Sequence, residues 1–320
     1  MASTSHIPVL CVDIGGTSTK AGVLASNGQV ELVDSIPTRP DPEAYLGKLI
    51  ELIAATGKRA AQEFGTAPSQ MGIAVAGFLD QDREYLVYNS NLAWLERFPL
   101  RQRLSEQFPG MAIELEVDSN AATMAEYQLG SGRGSKRFLC LAAGTGLGVG
   151  LAIDGKPLRF AYGCLGDIGH VIVLRDGPLC TCGGRGCAEI LVSAPVLAQR
   201  YQKLTRNTEE TTLRDVICDA QSGEPMAIEI LQQAGEWLGV AVASISNIFF
   251  PDHIAIAGGL SAAGPLVLGP AERVFRDSAC VLARSNVTFS QAALGSMATL
   301  IGAAWPFWAK EERSNGQSIA

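Results

Sequence analysis

The feature that most constrains this chain is a local design that occurs twice, in which an apolar strand runs into a glycine turn, a second strand and a tight hairpin. The first copy turns at Asp13-Ile14-Gly15-Gly16-Thr17 and ends at Asn27-Gly28, and the second turns at Gly144-Thr145-Gly146 and ends at Asp154-Gly155. Asn-Gly and Asp-Gly between apolar runs are typical of hairpin turns. The shared order of turns indicates an internal duplication. Because a duplicated fold places a cleft between its halves, we expect both glycine turns to face that cleft.

Composition excludes several classes of protein. Of the 320 residues, 47% are hydrophobic and 18% are charged, which suits folded cores and does not suit a disordered coil. The net charge of -7 has the wrong sign for general nucleic-acid binding, so we expect no nucleic-acid partner. No apolar run is long enough to cross a bilayer and the N-terminus lacks an apolar leader, so we expect no membrane partner and a cytoplasmic location.

The glycine turns have the chemistry of phosphate binding. Backbone N–H groups without an obstructing Cβ can surround phosphate oxygens, and Thr17 and Lys20 can add a hydroxyl and a positive charge. The first turn could equally be an ordinary hairpin in which Asp13 accepts the turn amides. The alternating glycines after Gly144 could merely allow close packing. A Walker A loop and a dinucleotide fingerprint are not indicated, because the first turn leads into a strand and lacks their endings.

Asp118 follows an apolar strand predicted over 113–117 and precedes a predicted helix. A carboxylate at the carboxyl end of a strand points to the crevice where α/β proteins bind ligands. The alternative is a helix N-cap, which the local sequence alone favours. Elsewhere, apolar spacing predicts further helices over 43–64, 190–204, 213–220, 225–248, 271–282 and 295–310.

A cysteine cluster gives the most specific local signal. The chain has three histidines, and one of them lies shortly before the cluster. One imidazole and three thiolates form the ligand set of a closed tetrahedral zinc site, here from His170, Cys180, Cys182 and Cys187. Buried core cysteines are the alternative, but the intervening glycines indicate a knuckle loop. Four protein ligands leave no open position, so the predicted zinc is structural and could hold Glu189 toward the cleft.

These motifs together resemble the ROK family of sugar kinases, similar to bacterial glucokinases and N-acylhexosamine kinases. The resemblance covers nearly the whole chain and rests on Asp13-Ile14-Gly15-Gly16-Thr17, Asn91-Leu92-Ala93-Trp94, Asp118 with Asn120, Gly144-Thr145-Gly146-Leu147-Gly148, Gly169-His170, Cys180-Thr181-Cys182-Gly183-Gly184-Arg185-Gly186-Cys187-Ala188-Glu189 and Ala257-Gly258-Gly259. The cysteine motif is highly specific, whereas the glycine motifs also occur in other actin-like ATPases.

The resemblance implies an α/β, two-lobed actin/Hsp70-like ATPase (ribonuclease H-like) fold with a cleft between the lobes. Residues 1–117 with 298–320 would form the smaller N-terminal lobe, and residues 118–297 the larger C-terminal lobe with the zinc-binding loop. Relatives of this family are often dimers or tetramers, so a homodimer or homotetramer is expected.

The resemblance also implies ATP-dependent phosphorylation of the primary hydroxyl of a hexose, with Asp118 as the general base. This role replaces the N-cap interpretation. Asp13 would orient Mg²⁺, through water. ATP and its phosphates would be bound by Asp13, Gly15, Gly16, Thr17, Lys20, Gly144, Thr145, Gly146, Gly258 and Gly259. The sugar would be held by Gly77, Ser90, Asn91, Asp118, Asp167, His170 and Glu189, with His170 ligating zinc through its other ring nitrogen.

Departures from the family pattern leave the sugar open. Val117 stands where the family commonly has Asn, and Asp167 where it commonly has Glu. One polar contact is thereby missing and one carboxylate is shorter, and such changes alter which sugar a site rejects. A modified hexose, a hexosamine or a cyclitol is therefore the alternative to glucose.

Two functions of other classes compete with a sugar kinase. A sugar-sensing transcriptional regulator of the same family would need a helix-turn-helix, and only six residues precede the first predicted strand. An ATPase that moves a protein partner, as actin and Hsp70 relatives do, would not need a His/Cys₃ knuckle beside a small-molecule cleft. Both are disfavoured.

Overall fold

The computed structural model describes residues 8–25, 27–89, 91–206 and 210–308. The chain divides into two compact units. Among the described residues, the first unit takes those up to Ala125, Pro157–Gly166 and those from Met297 onward, and the second takes Glu126–Lys156 and Asp167–Ser296. The predicted lobe bounds stay a prediction, and the units differ from them by placing residues 118–125 and 157–166 with the first.

The strands and helices are named in chain order. The strands are β1 (Val9–Ile14), β2 (Ser18–Leu24), β3 (Val30–Pro37), β4 (Gln70–Val75), β5 (Phe78–Leu79), β6 (Leu86–Tyr88), β7 (Ala112–Val117), β8 (Arg137–Ala143), β9 (Leu147–Ile153), β10 (Lys156–Pro157), β11 (His253–Ala257) and β12 (Thr288–Gln291). The helices are α1 (Pro42–Phe64), α2 (Leu100–Gln107), α3 (Asp118–Leu129), α4 (Glu189–Val192), α5 (Ala194–Thr205), α6 (Leu213–Gln221), α7 (Pro225–Phe249), α8 (Pro265–Ser278), α9 (Val281–Arg284) and α10 (Ala298–Ala303).

The two units carry one sheet topology twice. In the first unit the order is β3-β2-β1-β4-β7, with β1 antiparallel to β2 and parallel to β4, and β4 parallel to β7. In the second the order is β10-β9-β8-β11-β12, with β8 antiparallel to β9 and parallel to β11, and β11 parallel to β12. The repeated turn design of the sequence therefore corresponds to a repeated sheet.

Helix α1 illustrates how local sequence sets an element. The side chain of Asp41 accepts the Ala44 N–H at 3.1 Å, and Pro42 occupies the first turn, where its missing N–H is not needed. The helix ends at Gly65, whose φ of 70° is left-handed. Its buried face packs into the core of the first unit through Tyr45, Leu46, Leu49, Leu52 and Ile53.

Prolines move two helices away from their predicted bounds. The helix predicted over 190–204 is two helices, α4 and α5, joined at Ser193 in extended backbone. Pro195 has no N–H with which to continue a helix but is tolerated in the first turn of the next one. The helix predicted over 271–282 begins earlier, at Pro265. Its helical backbone does not continue into α9, which is a separate helix. Of the helix predicted over 295–310, α10 is the main described part.

Within the described residues, no helix is both long enough and apolar enough to span a membrane.

Helix α10 packs backbone to backbone in the first unit. A Cβ at Gly302 would lie 1.8 Å from the Ala121 carbonyl oxygen in α3. A Cβ at Gly72 in β4 would lie 1.8 Å from the Ala303 carbonyl oxygen. Such approaches require glycine, since any other residue would overlap the facing backbone.

We expect Gly302→Ala to lower the free energy of unfolding by about 1–3 kcal/mol, because the new methyl group has no room. The matched control is Gly47→Ala in α1, where a Cβ would meet no atom within 4 Å. That change should stabilise the protein by about 0.5–1 kcal/mol, since Ala is the better helix former. Urea unfolding of both variants measures the difference, and equal midpoints would contradict the packing described for α10.

Candidate functional site

Three predicted site residues meet at one edge of the sheet in the first unit. Strands β1, β4 and β7 are parallel neighbours, so their carboxyl ends lie side by side. Asp13 is the penultimate residue of β1, Gly77 follows shortly after β4, and Asp118 comes directly after β7. This strand order brings the predicted base, the predicted magnesium residue and a predicted sugar residue to the same edge.

The two carboxyl groups at this edge have raised pKa values. Burial raises the pKa of Asp118 to about 7, and the charge of Asp13 raises it too, against the Ser119 N–H, which donates to Asp118 Oδ1 at 2.7 Å. Burial likewise raises the pKa of Asp13 to about 6, partly offset by Lys20 opposite it in β2. A carboxylate poised near neutral pH suits a general base.

The acidic pair also suits a cation. Asp13 and Asp118 sense each other's charge, and burial disfavours the ionised form of each. A divalent ion near Asp13 would relieve both penalties, and Mg²⁺ takes carboxylate oxygens directly or through its retained waters. The residues present therefore fit the predicted magnesium role of Asp13.

The first glycine turn lies against the predicted sugar loop. The Gly15 N–H donates to the Ser18 carbonyl at 3.1 Å and closes the turn, which leaves Gly16 and Thr17 exposed. A Cβ at Gly16 would lie 2.9 Å from the Cβ of Asn91. Glycine at 16 thus lets the predicted phosphate turn and the predicted sugar residue Asn91 touch.

The Asn91 loop is positioned by residues that the sequence did not single out. Asn89 Oδ1 accepts the Asn91 N–H at 2.8 Å and forms an Asx turn. Trp94 packs edge-on against Tyr45, with ring centroids 5.1 Å apart. The Tyr45 hydroxyl is hydrogen-bonded to the buried Thr19 hydroxyl at 2.6 Å, just after the glycine turn. Ser90, also predicted to bind sugar, lies outside the described residues.

Glu116 supports the segment that carries Asp118. It is 1% exposed, and its Oε1 accepts the Val117 N–H at 3.0 Å and the Asn120 side-chain amide at 2.9 Å. The other carboxylate oxygen forms an ion pair with Arg159. The only sequence signal for Glu116 is a carboxylate in an otherwise apolar strand end, two residues before Asp118.

Asn120 extends this support to a loop. Its amide also donates to the Gly163 carbonyl at 2.7 Å. A Cβ at Gly163 would lie 3.7 Å from Val117 Cγ2. The end of β7, the first turn of α3 and the loop through Gly163 therefore form one hydrogen-bonded assembly around Asp118.

In the second unit, the Gly144-Thr145-Gly146 turn is held by Glu189. Glu189 Oε2 accepts the Leu147 N–H at 2.9 Å, and a Cβ at Gly146 would lie 2.6 Å from that oxygen. Glycine at 146 lets the carboxylate reach the turn. Glu189 was predicted to hold sugar, and the structure assigns one of its oxygens to the predicted phosphate turn.

Gly258 lies beside the same turn. Its φ is 79°, and a Cβ there would lie 2.4 Å from the carbonyl oxygen of Ala143, the residue before Gly144. Gly258, Gly259 and Thr145 are exposed. The predicted adenosine-side glycines and the second phosphate turn are therefore neighbours.

His170 joins the predicted sugar residues to the cysteine cluster. Its Nδ1 lies 3.5 Å from Cys180 Sγ, and its Nε2 lies 3.5 Å from Asp167 Oδ2. Burial raises the pKa of Asp167, whereas His170 lowers it and Glu189 raises it. The two ring nitrogens thus face different groups, a thiol of the cluster on one side and a carboxylate on the other.

The four residues of the cluster lie close enough together to hold a metal ion. The ligand atoms of His170, Cys180, Cys182 and Cys187 all lie within 4.8 Å of one another. Cys182 Sγ and Cys187 Sγ are 3.6 Å apart, close to the separation of about 3.8 Å that two thiolates at about 2.3 Å from a tetrahedral zinc would have. The donor set and its spacing fit zinc.

The protein environment of the thiols differs between ligands. The Gly184 N–H donates to Cys182 Sγ at 3.4 Å, and this hydrogen bond lowers the pKa of Cys182. Burial and the neighbouring thiols raise the pKa of Cys187 to about 12. Zinc must therefore displace a proton from Cys187 at neutral pH, which makes metal affinity depend on pH.

The predicted site residues fall into two groups, each assembled within one unit. The first unit holds Asp13, Gly15, Gly16, Thr17, Lys20, Gly77, Asn91 and Asp118. The second unit holds Gly144, Thr145, Gly146, Asp167, His170, Cys180, Cys182, Cys187, Glu189, Gly258 and Gly259.

Comparison with known proteins links this arrangement to one family. The family model described as the ROK family matches residues 9–311. A glucokinase of Streptomyces coelicolor is 31% identical over 318 residues, which cover 92% of this chain and 95% of that enzyme. A xylose repressor of Caldicellulosiruptor bescii is 27% identical over 273 residues, covering 82% of this chain and 68% of the repressor.

A solved structure gives the same result for the fold. The ROK glucokinase of Streptomyces griseus, in complex with glucose and AMPPNP, superposes with a TM-score of 0.82 at 29% identity and covers 93% of this chain and 98% of that one. The predicted fold class, an α/β two-lobed actin/Hsp70-like ATPase fold, is thereby confirmed. From the match over residues 9–311 and these relatives, it follows that the chain belongs to the ROK family.

Proposed function

We propose that this protein transfers the terminal phosphate of ATP to the primary hydroxyl of a hexose, with Asp118 as the general base. The predicted enzyme class, an ATP-dependent sugar kinase, is confirmed by the glucokinase relatives. The observation that carries the assignment of the base is the raised pKa of Asp118, about 7, at the sheet edge that also holds Asp13 and the first glycine turn. A carboxyl of ordinary pKa would be a much weaker proton acceptor.

Phosphoryl transfer needs alignment, charge neutralisation and one proton acceptor. Asp118 accepts the proton of the sugar hydroxyl while that oxygen attacks the terminal phosphorus of ATP. The bond from this phosphorus to the bridging oxygen breaks, and ADP leaves. The turns at Gly15–Thr17 and Gly144–Gly146 hold the phosphates through backbone N–H groups, and Lys20 adds a positive charge. Asp13 would hold Mg²⁺, which would supply neutralisation of the phosphate charge.

Polar side chains hold the acceptor in this proposal. Asp167, His170 and Glu189 bind sugar hydroxyls, and Gly77 and Asn91 complete the sugar site. Two features favour a modified hexose, a hexosamine or a cyclitol as the alternative acceptor. Val117 is 3% exposed and apolar, and Asp167 offers a shorter carboxylate than Glu would.

Zinc at the cysteine cluster has a structural role in this proposal. Its four ligands leave no open position for water or sugar. His170, Cys180, Cys182 and Cys187 would hold the zinc, which would fix the His170 ring. Asp167 Oδ2 lies 3.5 Å from His170 Nε2. The cluster also adjoins Glu189, two residues after Cys187.

We expect Asp118→Asn to lower kcat about a hundred-fold to ten-thousand-fold, the usual contribution of a general base, with little change in sugar affinity. Coupled ADP release measures kcat, and calorimetry measures sugar binding. The matched control Asp82→Asn changes an exposed carboxyl on a turn of the first unit and should keep normal kcat. Near-normal turnover of Asp118→Asn would remove this residue from the role of base.

The same variant should be more stable than the parent protein at pH 8. The pKa of Asp118 in the folded protein, about 7, exceeds the ordinary value of 3.8. The folded chain therefore binds more protons than the unfolded chain, and its stability falls as pH rises from about 4 to 7. Asparagine has no carboxyl group to ionise, so the variant should have a free energy of unfolding higher by on the order of 1 kcal/mol at pH 8. Thermal unfolding at pH 5 and pH 8 therefore separates lost catalysis from lost folding.

We expect Cys182→Ala to lose bound zinc and to weaken sugar affinity, because the His170 ring is no longer fixed. Metal analysis of the purified protein and sugar calorimetry measure the two effects. Cys280→Ala, at an exposed cysteine outside the cluster, should retain zinc and affinity. A zinc-free Cys182→Ala protein with full activity would contradict the structural role.

A further inference from the structure

Three aromatic rings of the first unit form a cluster that no predicted motif uses, with two exposed tyrosines and a half-buried phenylalanine. Phe78 contacts Tyr88 and Tyr162, with ring centroids 6.3 Å apart in both pairs. Tyr88 is 55% exposed and Tyr162 is 56% exposed. Contiguous exposed apolar surface is uncommon on folded proteins and marks binding sites.

The cluster is continuous with the proposed sugar site. Phe78 directly follows Gly77, which the sequence assigns to sugar binding. Tyr162 directly precedes Gly163, where a Cβ would lie 3.7 Å from Val117 Cγ2, in the residue before Asp118. The aromatic rings therefore border the same strand ends that carry the proposed base.

The backbone holds Tyr162 in place at a conformational cost. Its φ is 60° and its ψ is 25°, the left-handed region that bulky side chains rarely adopt. The Phe160 N–H donates to the Cys164 carbonyl at 2.7 Å and closes the loop, and the Asn120 amide holds the Gly163 carbonyl at 2.7 Å. The ring is thus presented from a fixed loop.

The three aromatic side chains are suited to contact a ring of a ligand, and they are poorly suited to contact a row of hydroxyl groups. Aromatic faces stack on planar rings and on the C–H faces of pyranoses, and tyrosine hydroxyls can hydrogen-bond at the rim. A ligand gains from this surface only if it extends beyond one hydroxyl-rich hexose.

Building on the proposed kinase function, we propose that Phe78, Tyr88 and Tyr162 form a stacking subsite for a second ring of the acceptor. The acceptor class is then a hexose glycoside, a hexose joined to a second ring. An aryl glycoside and a disaccharide share this chemistry, and the experiment below distinguishes them.

The test compares acceptors that differ only in the second group. Coupled ADP release is measured with the full chain for three acceptors, each in both anomers: methyl glucoside, phenyl glucoside and a glucose disaccharide. We expect kcat/KM for at least one ring-bearing acceptor to exceed that for methyl glucoside by about tenfold. Preference for the phenyl compound alone indicates an aryl glycoside, and preference for the disaccharide alone indicates a disaccharide. Equal kcat/KM for all three acceptors would overturn the subsite.

Variants of the aromatic cluster test whether it causes a preference for ring-bearing acceptors. Tyr162→Asn keeps a residue that tolerates positive φ, and Tyr88→Ser changes an exposed ring in a short strand; each should bring the ratio of ring-bearing to methyl acceptor close to one. The matched control is Phe160→Asn on the same loop, where the side chain is 59% exposed, and it should keep the parent ratio. Unchanged ratios in the tyrosine variants would overturn the subsite, and unchanged ratios with a changed oligomeric state by light scattering would assign the cluster to a second copy of the chain.

Ligand binding distinguishes failure of the proposed kinase function from failure of the proposed subsite. If no sugar is phosphorylated, the proposed function is wrong, and calorimetry with the 6-deoxy analogue of phenyl glucoside, which has no primary hydroxyl, decides the subsite alone. Binding at least tenfold tighter than the 6-deoxy methyl glucoside, lost in Tyr162→Asn, supports the subsite. Equal binding of the two analogues overturns it.

Discussion

Two partly buried carboxyl groups at the end of three parallel strands are the constraint on which the site depends. The order β1-β4-β7 places Asp13 and Asp118 within reach of each other's charge, and burial raises the pKa of both. Holding two acidic side chains close together lowers the stability of the fold, so other contacts must hold the segment that carries them. Glu116 supplies such contacts by binding the Val117 amide and the Asn120 side chain.

The duplicated sheet gives each unit a glycine turn, but the two turns are held differently. The first is closed by its own backbone and packed against Asn91. The second is held by Glu189, two residues after Cys187, which is a predicted zinc ligand. In the second unit the candidate metal ligands, the predicted sugar residue Glu189 and the predicted phosphate turn therefore adjoin one another. We expect a change at the cysteine cluster to affect the turn as well as the local fold.

Much of this could be predicted from local sequence, and the remainder could not for physical reasons. The turn at Asn27-Gly28 and the helix from Pro42 follow from residues a few positions apart. The break between α4 and α5 depends on Pro195, a signal that apolar periodicity alone overlooks. The role of Glu116 was not predictable, because its ion-pair partner Arg159 lies 43 residues away and is brought near by the fold.

The most direct test of the account is an NMR titration of the protein with ¹³C-labelled aspartate carboxyls, with Asp118→Asn used to assign the resonance. The account predicts that Asp118 titrates near pH 7 and that Asp13→Asn moves this titration lower, since the charge of Asp13 raises the pKa of Asp118. A titration near pH 4, unaffected by Asp13→Asn, would contradict it.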